Sequence, residues 1–351
     1  MTDRPGAVIA RVDAELAAFL DECAATLSRL GDDLAPVSDA ARRFVLDGGK
    51  RLRPTFAYWG WRTVHTEDED DSALITAAAS LELLHACALV HDDVMDASAT
   101  RRGRPAAHAS FAELHRAEGW AGDPEVFGTS AAILLGDLLL SWADAMFTGA
   151  VPGGPGRRVF DEMRQLVMAG QYLDVLVQAR AGYSVDEALR VIKFKTSKYT
   201  VEGPLHLGAA IAGAPPDVFE ALTAYGLPLG EAFQLRDDVL GVFGDPSLTG
   251  KPTGGDLREG KHTLLTALAM QAADADQADA LRAGLGDRGL DDGRVAELCK
   301  IILATGALDQ VEQRITKRTA EARAALVDAP LSDASREVLD TLAGAATDRH
   351  A

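Results

Sequence analysis

Two aspartate clusters, each closing an apolar, helix-patterned stretch, are the residues in this chain best suited to chemistry. The first reads His91-Asp92-Asp93-Val94-Met95-Asp96 and the second Gln234-Leu235-Arg236-Asp237-Asp238-Val239-Leu240. On a helix, residues three or four apart share a face, so Asp92 and Asp96 stack one turn apart. His85 lies two turns before Asp92 on nearly the same face. Carboxylates so placed can bridge a hard cation. Mg²⁺ takes few protein carboxylates and completes its octahedron with water and phosphate oxygens, so the pattern points to a metal-held diphosphate. The bland alternative is a solvated acidic helix end, which the helix macrodipole disfavours at a C-terminus. In the second cluster Gln234, Asp237 and Asp238 share a face. Gly241 offers no side chain one turn on, and Asp245 is a candidate only through water.

Cations follow both clusters. Arg101-Arg102-Gly103-Arg104-Pro105 comes after the first, and its Gly and Pro mark a turn that would bring the arginines back over the carboxylates. Guanidinium groups are planar, permanently charged donors suited to phosphate. A Gly-rich stretch, residues 244–260, follows the second, with Lys251 inside it and Lys261 just after. Glycine lets backbone and ammonium groups approach phosphate closely. The stretch lacks the Gly-x-x-x-x-Gly-Lys-Ser/Thr pattern of nucleotide loops. Taken singly, either lysine reads equally well as a loop charge balancing local acid.

The elements that must position these groups are helices. Val12, Leu16, Phe19, Leu20, Cys23 and Leu27 make one apolar stripe, and residues 75–89, 134–147, 159–177, 219–242 and 295–325 repeat the period. Alternating strand-like runs are scarce, so no sheet is expected. The chemistry-bearing pieces scatter from Lys50 to Lys261, which favours one all-α domain of about a dozen helices. With 351 residues, 47% of them hydrophobic, the chain can bury a sizeable core. A net charge of −18 argues against nucleic acid and anionic membrane faces as general partners. Cys23, Cys87 and Cys299 form no metal or redox spacing, as expected of a reducing compartment. The N-terminal residues show no signal-like pattern, and the most apolar run, residues 131–140, is broken by Gly136 and Asp137. No membrane-spanning stretch or anchor is therefore expected, and the expected location is cytoplasmic.

At this point the chain resembles the trans-type polyprenyl diphosphate synthases, and within them the bacterial geranylgeranyl diphosphate synthases. The resemblance is carried by seven motifs in order. They are Gly48-Gly49-Lys50-Arg51-Leu52-Arg53-Pro54; Glu82-Leu83-Leu84-His85; Asp92-Asp93-Val94-Met95-Asp96 with Arg101-Arg102-Gly103; Gly170-Gln171-Tyr172-Leu173-Asp174; Lys195-Thr196; Gln234-Leu235-Arg236-Asp237-Asp238; and Gly250-Lys251-Pro252 through Asp256-Leu257 to Gly260-Lys261. It implies a polyprenyl synthetase domain over residues 1–351, its motif-bearing core about 45–265, with helices around a central apolar cavity. It also implies a magnesium-dependent, head-to-tail transfer of an allylic group to isopentenyl diphosphate, and a homodimer. Apolar helices such as residues 131–147 could supply the interface.

The roles that the resemblance implies are specific. Lys50, Arg53, His85 and Arg102 would bind isopentenyl diphosphate. Arg101, Lys195, Lys251 and Lys261 would bind the allylic diphosphate. Asp92, Asp96 and Asp237 would hold Mg²⁺, three ions with substrate bound, and Thr196 and Gln234 would lie with Lys195 along the nascent cation. Gly241 departs from the family, many members of which carry an aspartate there. Ala88, Leu84 and Leu81 lie one, two and three turns before Asp92. The resemblance implies that bulky residues at Cys87 and Ala88 would stop growth near fifteen carbons; their small size points to geranylgeranyl diphosphate, with Leu84, Leu81 or Trp142 as floor. Farnesyl or longer products are the nearest alternatives. A class I terpene cyclase and a non-catalytic subunit are the more distant ones.

Overall fold

A computed structural model of the chain describes residues 5–65, 69–180, 182–244 and 253–347. The helices follow in order as α1 (Pro5–Ser28), α2 (Ala35–Leu46), α3 (Leu52–Trp61), α4 (Ser72–Met95), α5 (Ala107–Ala117), α6 (Pro124–Ala150), α7 (Arg157–Arg180) and α8 (Val185–Val191). A π-helical segment, Ile192–Glu202, leads into α9 (Gly203–Ile211) and α10 (Pro216–Phe243). Then come α11 (Gly255–Glu259), α12 (Leu264–Ala272), α13 (Ala275–Gly284), α14 (Asp292–Ala304), α15 (Ala307–Val327) and α16 (Asp333–Thr347). The all-α class holds. One small departure stands between α4 and α5, where Thr100–Arg101 (β1) pairs antiparallel with Arg104–Pro105 (β2). Strands of two residues are too short for an alternating pattern to announce them.

The helices form two compact units. One comprises Met1–Asp161 with Gly203–Phe219, the other Glu162–Glu202 with Glu220–Ala351. Neither is one continuous stretch, so no single cut in the chain separates them.

In the first unit α4 is the central element. It is apolar all round, with Leu74, Ile75, Leu81, Leu83, Leu84 and Val90 at most 2% exposed, the pattern of a helix surrounded by others. α6 lies along it, α5 covers α6, and α3 packs on α9. α6 starts cleanly: Asp123 accepts a 2.8 Å hydrogen bond from the Glu125 amide, with Pro124 in the first turn. Against expectation, α4 and α6 are each long and apolar enough to cross a membrane by length and composition. Gly136 and Asp137 interrupt the apolar run of α6 without bringing its mean hydropathy below 1.6. α4 is 72% buried over that window and so reads as a core helix, whereas α6 is only 33% buried. In the second unit Leu235, Val239 and Val242 of α10 pack with Leu257, Leu264, Leu298, Ile302 and Val311 into one core.

Candidate active site

The C-terminus of α4 presents Asp92 and Asp96 one turn apart, the Asp96 amide donating to the Asp92 carbonyl at 2.8 Å. Arg101 returns over this helix end as expected. Its Nε donates to Asp93 Oδ1 at 2.9 Å, and its Nη2 reaches Asp92 Oδ2 at 3.4 Å. The device that turns it back is the β1–β2 hairpin. Arg102 and Gly103 form its two-residue loop with φ of 53° and 73°, the doubly positive pattern of a type I′ turn. A left-handed arginine is uncommon and is held here by its surroundings. Arg102 Nη1 donates to the Asp47 carbonyl at 3.0 Å, and the Arg104 guanidinium pairs with the Asp47 carboxylate.

The residues expected to bind isopentenyl diphosphate gather in the same unit. His85 faces Arg53, Arg102, Arg101 and Arg51; burial first, and these cations next, hold its imidazole well below its ordinary pKa. It is therefore neutral near pH 7 and able to share a hydrogen bond with an anion. The Arg102 guanidinium lies against Gly49, 3.3 Å from where a Cβ would stand, which brings it beside the loop that carries Lys50. Burial, then repulsion from Arg51, Arg101 and Arg53, depresses the Arg102 pKa, although Glu82 opposes this. So much positive charge in one place is costly without an anion. Arg51 is the local anchor, in left-handed conformation with φ 49° and 4% exposed. Its Nε donates to Asp13 at 2.7 Å and its Nη1 to Glu82 at 2.9 Å. Leu81, Leu84 and Cys87 are buried on α4 and Ala88 is partly exposed. Burial, with Asp137 nearby, pushes the Cys87 thiol up to about 12, so it is an inert neutral side chain.

The second unit holds Lys195, Thr196, Gln234, Asp237 and Lys261 of the other expected sets. Lys195 Nζ donates to Asp174 Oδ2 at 2.6 Å. The π-helical segment carries Lys195 and Thr196, and α7 meets it at Gly170, where a Cβ would stand 2.5 Å from the Lys195 amide nitrogen. A bulkier residue there would displace the lysine. π geometry is rare overall and frequent at functional sites. Thr196 Oγ1 donates to Gln234 Oε1 at 2.6 Å, and Gln234 Nε2 donates to Asp238 Oδ1 at 2.8 Å. Burial pushes Asp238 up to about 8, Gln234 and Lys261 opposing and Asp256 and Asp237 adding to it. Lys261 lies 3.0 Å from Glu259 and 3.5 Å from Asp256. At Gly241 a Cβ would stand 2.0 Å from Asp256 Oδ2, so a carboxylate from another segment occupies the space where the expected aspartate is missing. Lys251 and Asp245 lie outside the described residues.

Four features escaped the sequence. The Arg51–Glu82 pair was signalled by a lone acid inside an apolar helix, which needs a partner. Asp174 stands in a recognised motif, but its bond to Lys195 is tertiary. Asp256 lies fifteen positions beyond Gly241 with no periodic link to it. Nothing in residues 192–202 announced π geometry. Among the described residues no three acidic, imidazole or thiolate side chains form a ready metal cage. The donors are oxygen pairs, such as Asp92 with Asp96, which suit a hard cation that keeps waters and phosphate oxygens as further ligands.

The comparisons with known proteins agree with this chemistry. A family profile described as Polyprenyl synthetase matches residues 35–302. The chain is 33% identical to geranylfarnesyl diphosphate synthase of Aeropyrum pernix, over 87% of this chain and 92% of that one. It is 31% identical to octaprenyl diphosphate synthase of Escherichia coli (strain K12), over 93% and 94%. A crystal structure of geranylgeranyl pyrophosphate synthase from Corynebacterium glutamicum, complexed with isoprenyl diphosphate and magnesium, superposes with a TM-score of 0.93 at 43% identity, covering 97% of this chain and 98% of that one. Matched over most of its length and similar to synthases of several product lengths, the chain belongs to the polyprenyl synthetase family, the trans-prenyl diphosphate synthases.

Proposed function

We propose that the enzyme condenses isopentenyl diphosphate with an allylic diphosphate, with geranylgeranyl diphosphate as the main product. The observation that carries this reading is the first unit's pairing of a carboxylate helix end under Arg101 with the cationic patch of Arg53, His85 and Arg102. A cyclase has no use for that patch, because it takes no isopentenyl diphosphate.

The reaction breaks an allylic C–O bond, adds the resulting cation to the isopentenyl double bond and loses a proton. Asp92, Asp96 and Asp237 would hold Mg²⁺, which when bound neutralises charge on the departing diphosphate. Arg101, Lys195 and Lys261, with Lys251, would grip the same group with permanent charge, so that leaving-group stabilisation is electrostatic. Asp174 fixes the ammonium of Lys195, and Asp256 with Glu259 that of Lys261. Lys50, Arg53, His85 and Arg102 would orient isopentenyl diphosphate, converting a bimolecular encounter into an effectively unimolecular step. Thr196 Oγ1 donates to Gln234 Oε1, and the pair would lie along the nascent cation. The released diphosphate can take the proton. The small Ala88 leaves room for growth towards Leu84 and Leu81, which would set the floor.

Incubation of the purified chain with isopentenyl diphosphate and five-, ten- or fifteen-carbon starters tests this. Mass spectrometry should show a twenty-carbon diphosphate only when Mg²⁺ is present. Asp92→Asn should lower kcat/KM by about a hundredfold to a thousandfold. A cyclic hydrocarbon formed without isopentenyl diphosphate would instead establish a cyclase, and inactivity of the chain alone would point to a non-catalytic subunit.

A further inference from the structure

Arg236 stands inside the second aspartate cluster, one residue before Asp237, yet it has no part in the proposed chemistry. Its largely buried side chain turns to the C-terminal helices instead. Nη1 and Nη2 donate to Glu312 Oε1 and Oε2 of α15 at 2.6 and 2.7 Å, the paired geometry in which a guanidinium grips a carboxylate most firmly. Nε donates to the carbonyl of Thr347, the last residue of α16, at 3.1 Å. Earlier on α10, Glu231 accepts from Arg314 and Arg318 of α15. α15 therefore offers acid to Arg236 and base to Glu231, and a slip of one helix along the other would set like charges together.

Consecutive helix residues are about 100° apart, so Gln234 and Asp238 lie nearly opposite Arg236, and Asp237 lies between. The opposite side is held too, since Thr196 donates to Gln234 and Gln234 to Asp238. α10 is thus gripped on two opposite sides at the turn that carries the cluster. A roll of about 10° around the helix axis would carry a carboxylate some 5 Å out by about 1 Å. Misplacement by about 1 Å can cost on the order of a hundredfold in rate. We propose that Arg236 is a positioning residue: through Glu312 and Thr347 it fixes the rotation of α10, and with it the face that presents Gln234, Asp237 and Asp238 to the allylic diphosphate and the Mg²⁺ that would hold it. The inference rests on the prenyltransferase reading above. Glu312 already matches the charge of Arg236, so the arginine acts by placement and not by attraction.

The probe is geranyl S-thiolodiphosphate, whose carbon–sulfur bond resists ionisation, titrated calorimetrically into the full chain over a range of Mg²⁺ concentrations. Arg236→Gln and Glu312→Gln should each raise the Mg²⁺ concentration that half-saturates probe binding at least tenfold. The double variant should add little to either single one, because all three lose the same clamp. By charge alone Arg236→Gln would favour Mg²⁺ and Glu312→Gln would oppose it, so parallel losses report placement. Tyr225→Phe is the control. The Tyr225 hydroxyl donates to the Leu339 carbonyl at 2.7 Å, so this variant loosens α16 away from the cluster. It should lower the melting temperature and keep the Mg²⁺ dependence within about twofold of wild type. During turnover the two single variants should raise the allylic KM and leave the isopentenyl diphosphate KM unchanged. Wild-type Mg²⁺ dependence in folded Glu312→Gln protein, opposite shifts in the two single variants, or an equal rise in Tyr225→Phe overturns the proposal. If circular dichroism shows Arg236→Gln unfolded, Arg236→Lys, which keeps the charge and loses the paired geometry, carries the test with Glu312→Gln. A wild-type chain that binds the probe with Mg²⁺ but transfers no isopentenyl group would overturn the prenyltransferase reading, while the binding data would still decide the clamp. A wild type that binds no probe at any Mg²⁺ concentration would overturn both.

Discussion

His85 shows how a site prepares for an anion before it arrives. Burial and four neighbouring arginines make its protonated form unfavourable in the fold. A base with a lower pKa folded than unfolded binds fewer protons when folded. Its contribution to stability is thus complete above about 6.5, the unfolded value, and drains away as pH falls below it. His85→Gln removes the titration, so thermal melts of this variant should lose less stability than wild type between about pH 6.5 and 4.5. Parallel acid limbs for the two proteins would show that His85 is not held neutral. The same residues show what a sequence can reveal. Asp92, Asp96 and the return of Arg101 were legible because helix spacing and a Gly-containing turn are local rules. The bonds from Lys195 to Asp174 and from Arg51 to Glu82 depend on packing between distant segments, which no local spacing encodes.

Helices, more than single side chains, decide what the site can tolerate. α10 carries Gly241 directly against the Asp256 carboxylate of α11, with 2.0 Å to an added Cβ. Gly241→Ala should therefore displace the Asp256 carboxylate, at a cost of about 1–3 kcal/mol for overpacking. Because Lys261 follows α11 and pairs with Asp256, the allylic KM should rise along with the loss in melting temperature. An unchanged KM in a folded Gly241→Ala protein would separate Asp256 from substrate binding. The helical period made α10 legible, and with it the empty position at 241, but not the carboxylate that fills the gap. On α4 the proposed tunnel would place Ala88, Leu84 and Leu81 one, two and three turns below Asp92. Ala88→Phe should shorten the main product, and an unaltered chain-length distribution by mass spectrometry would remove α4 from the wall of the growing chain. The π-helical segment that carries Lys195 and Thr196 was the least legible element, since its residues also suit an ordinary α-helix.

For the whole molecule, the telling feature is the face of α6 that α4 and α5 leave exposed. Val126 is 63% exposed, Ile133 44% and Leu134 67%, spaced seven and eight residues apart, so they share one face. Scattered apolar residues are ordinary on a surface, but a stripe on one face marks an interaction site. A lipid surface and a second copy of the chain are the two candidates. The net charge of −18 opposes an anionic membrane. A second copy needs no further component, since a two-fold axis lays the stripe on itself. We therefore expect a homodimer through α6. Burying Leu134 contributes about 1.5–3 kcal/mol per copy, and each substitution acts twice in a symmetric pair. Leu134→Asp should accordingly weaken association by at least about a hundredfold, turning a two-chain species in sedimentation velocity into one of 37.1 kDa while helicity is retained. A wild-type chain that already sediments at the single-chain mass would leave α6 to a different partner, and vesicle flotation with neutral lipid would then show whether that partner is a membrane.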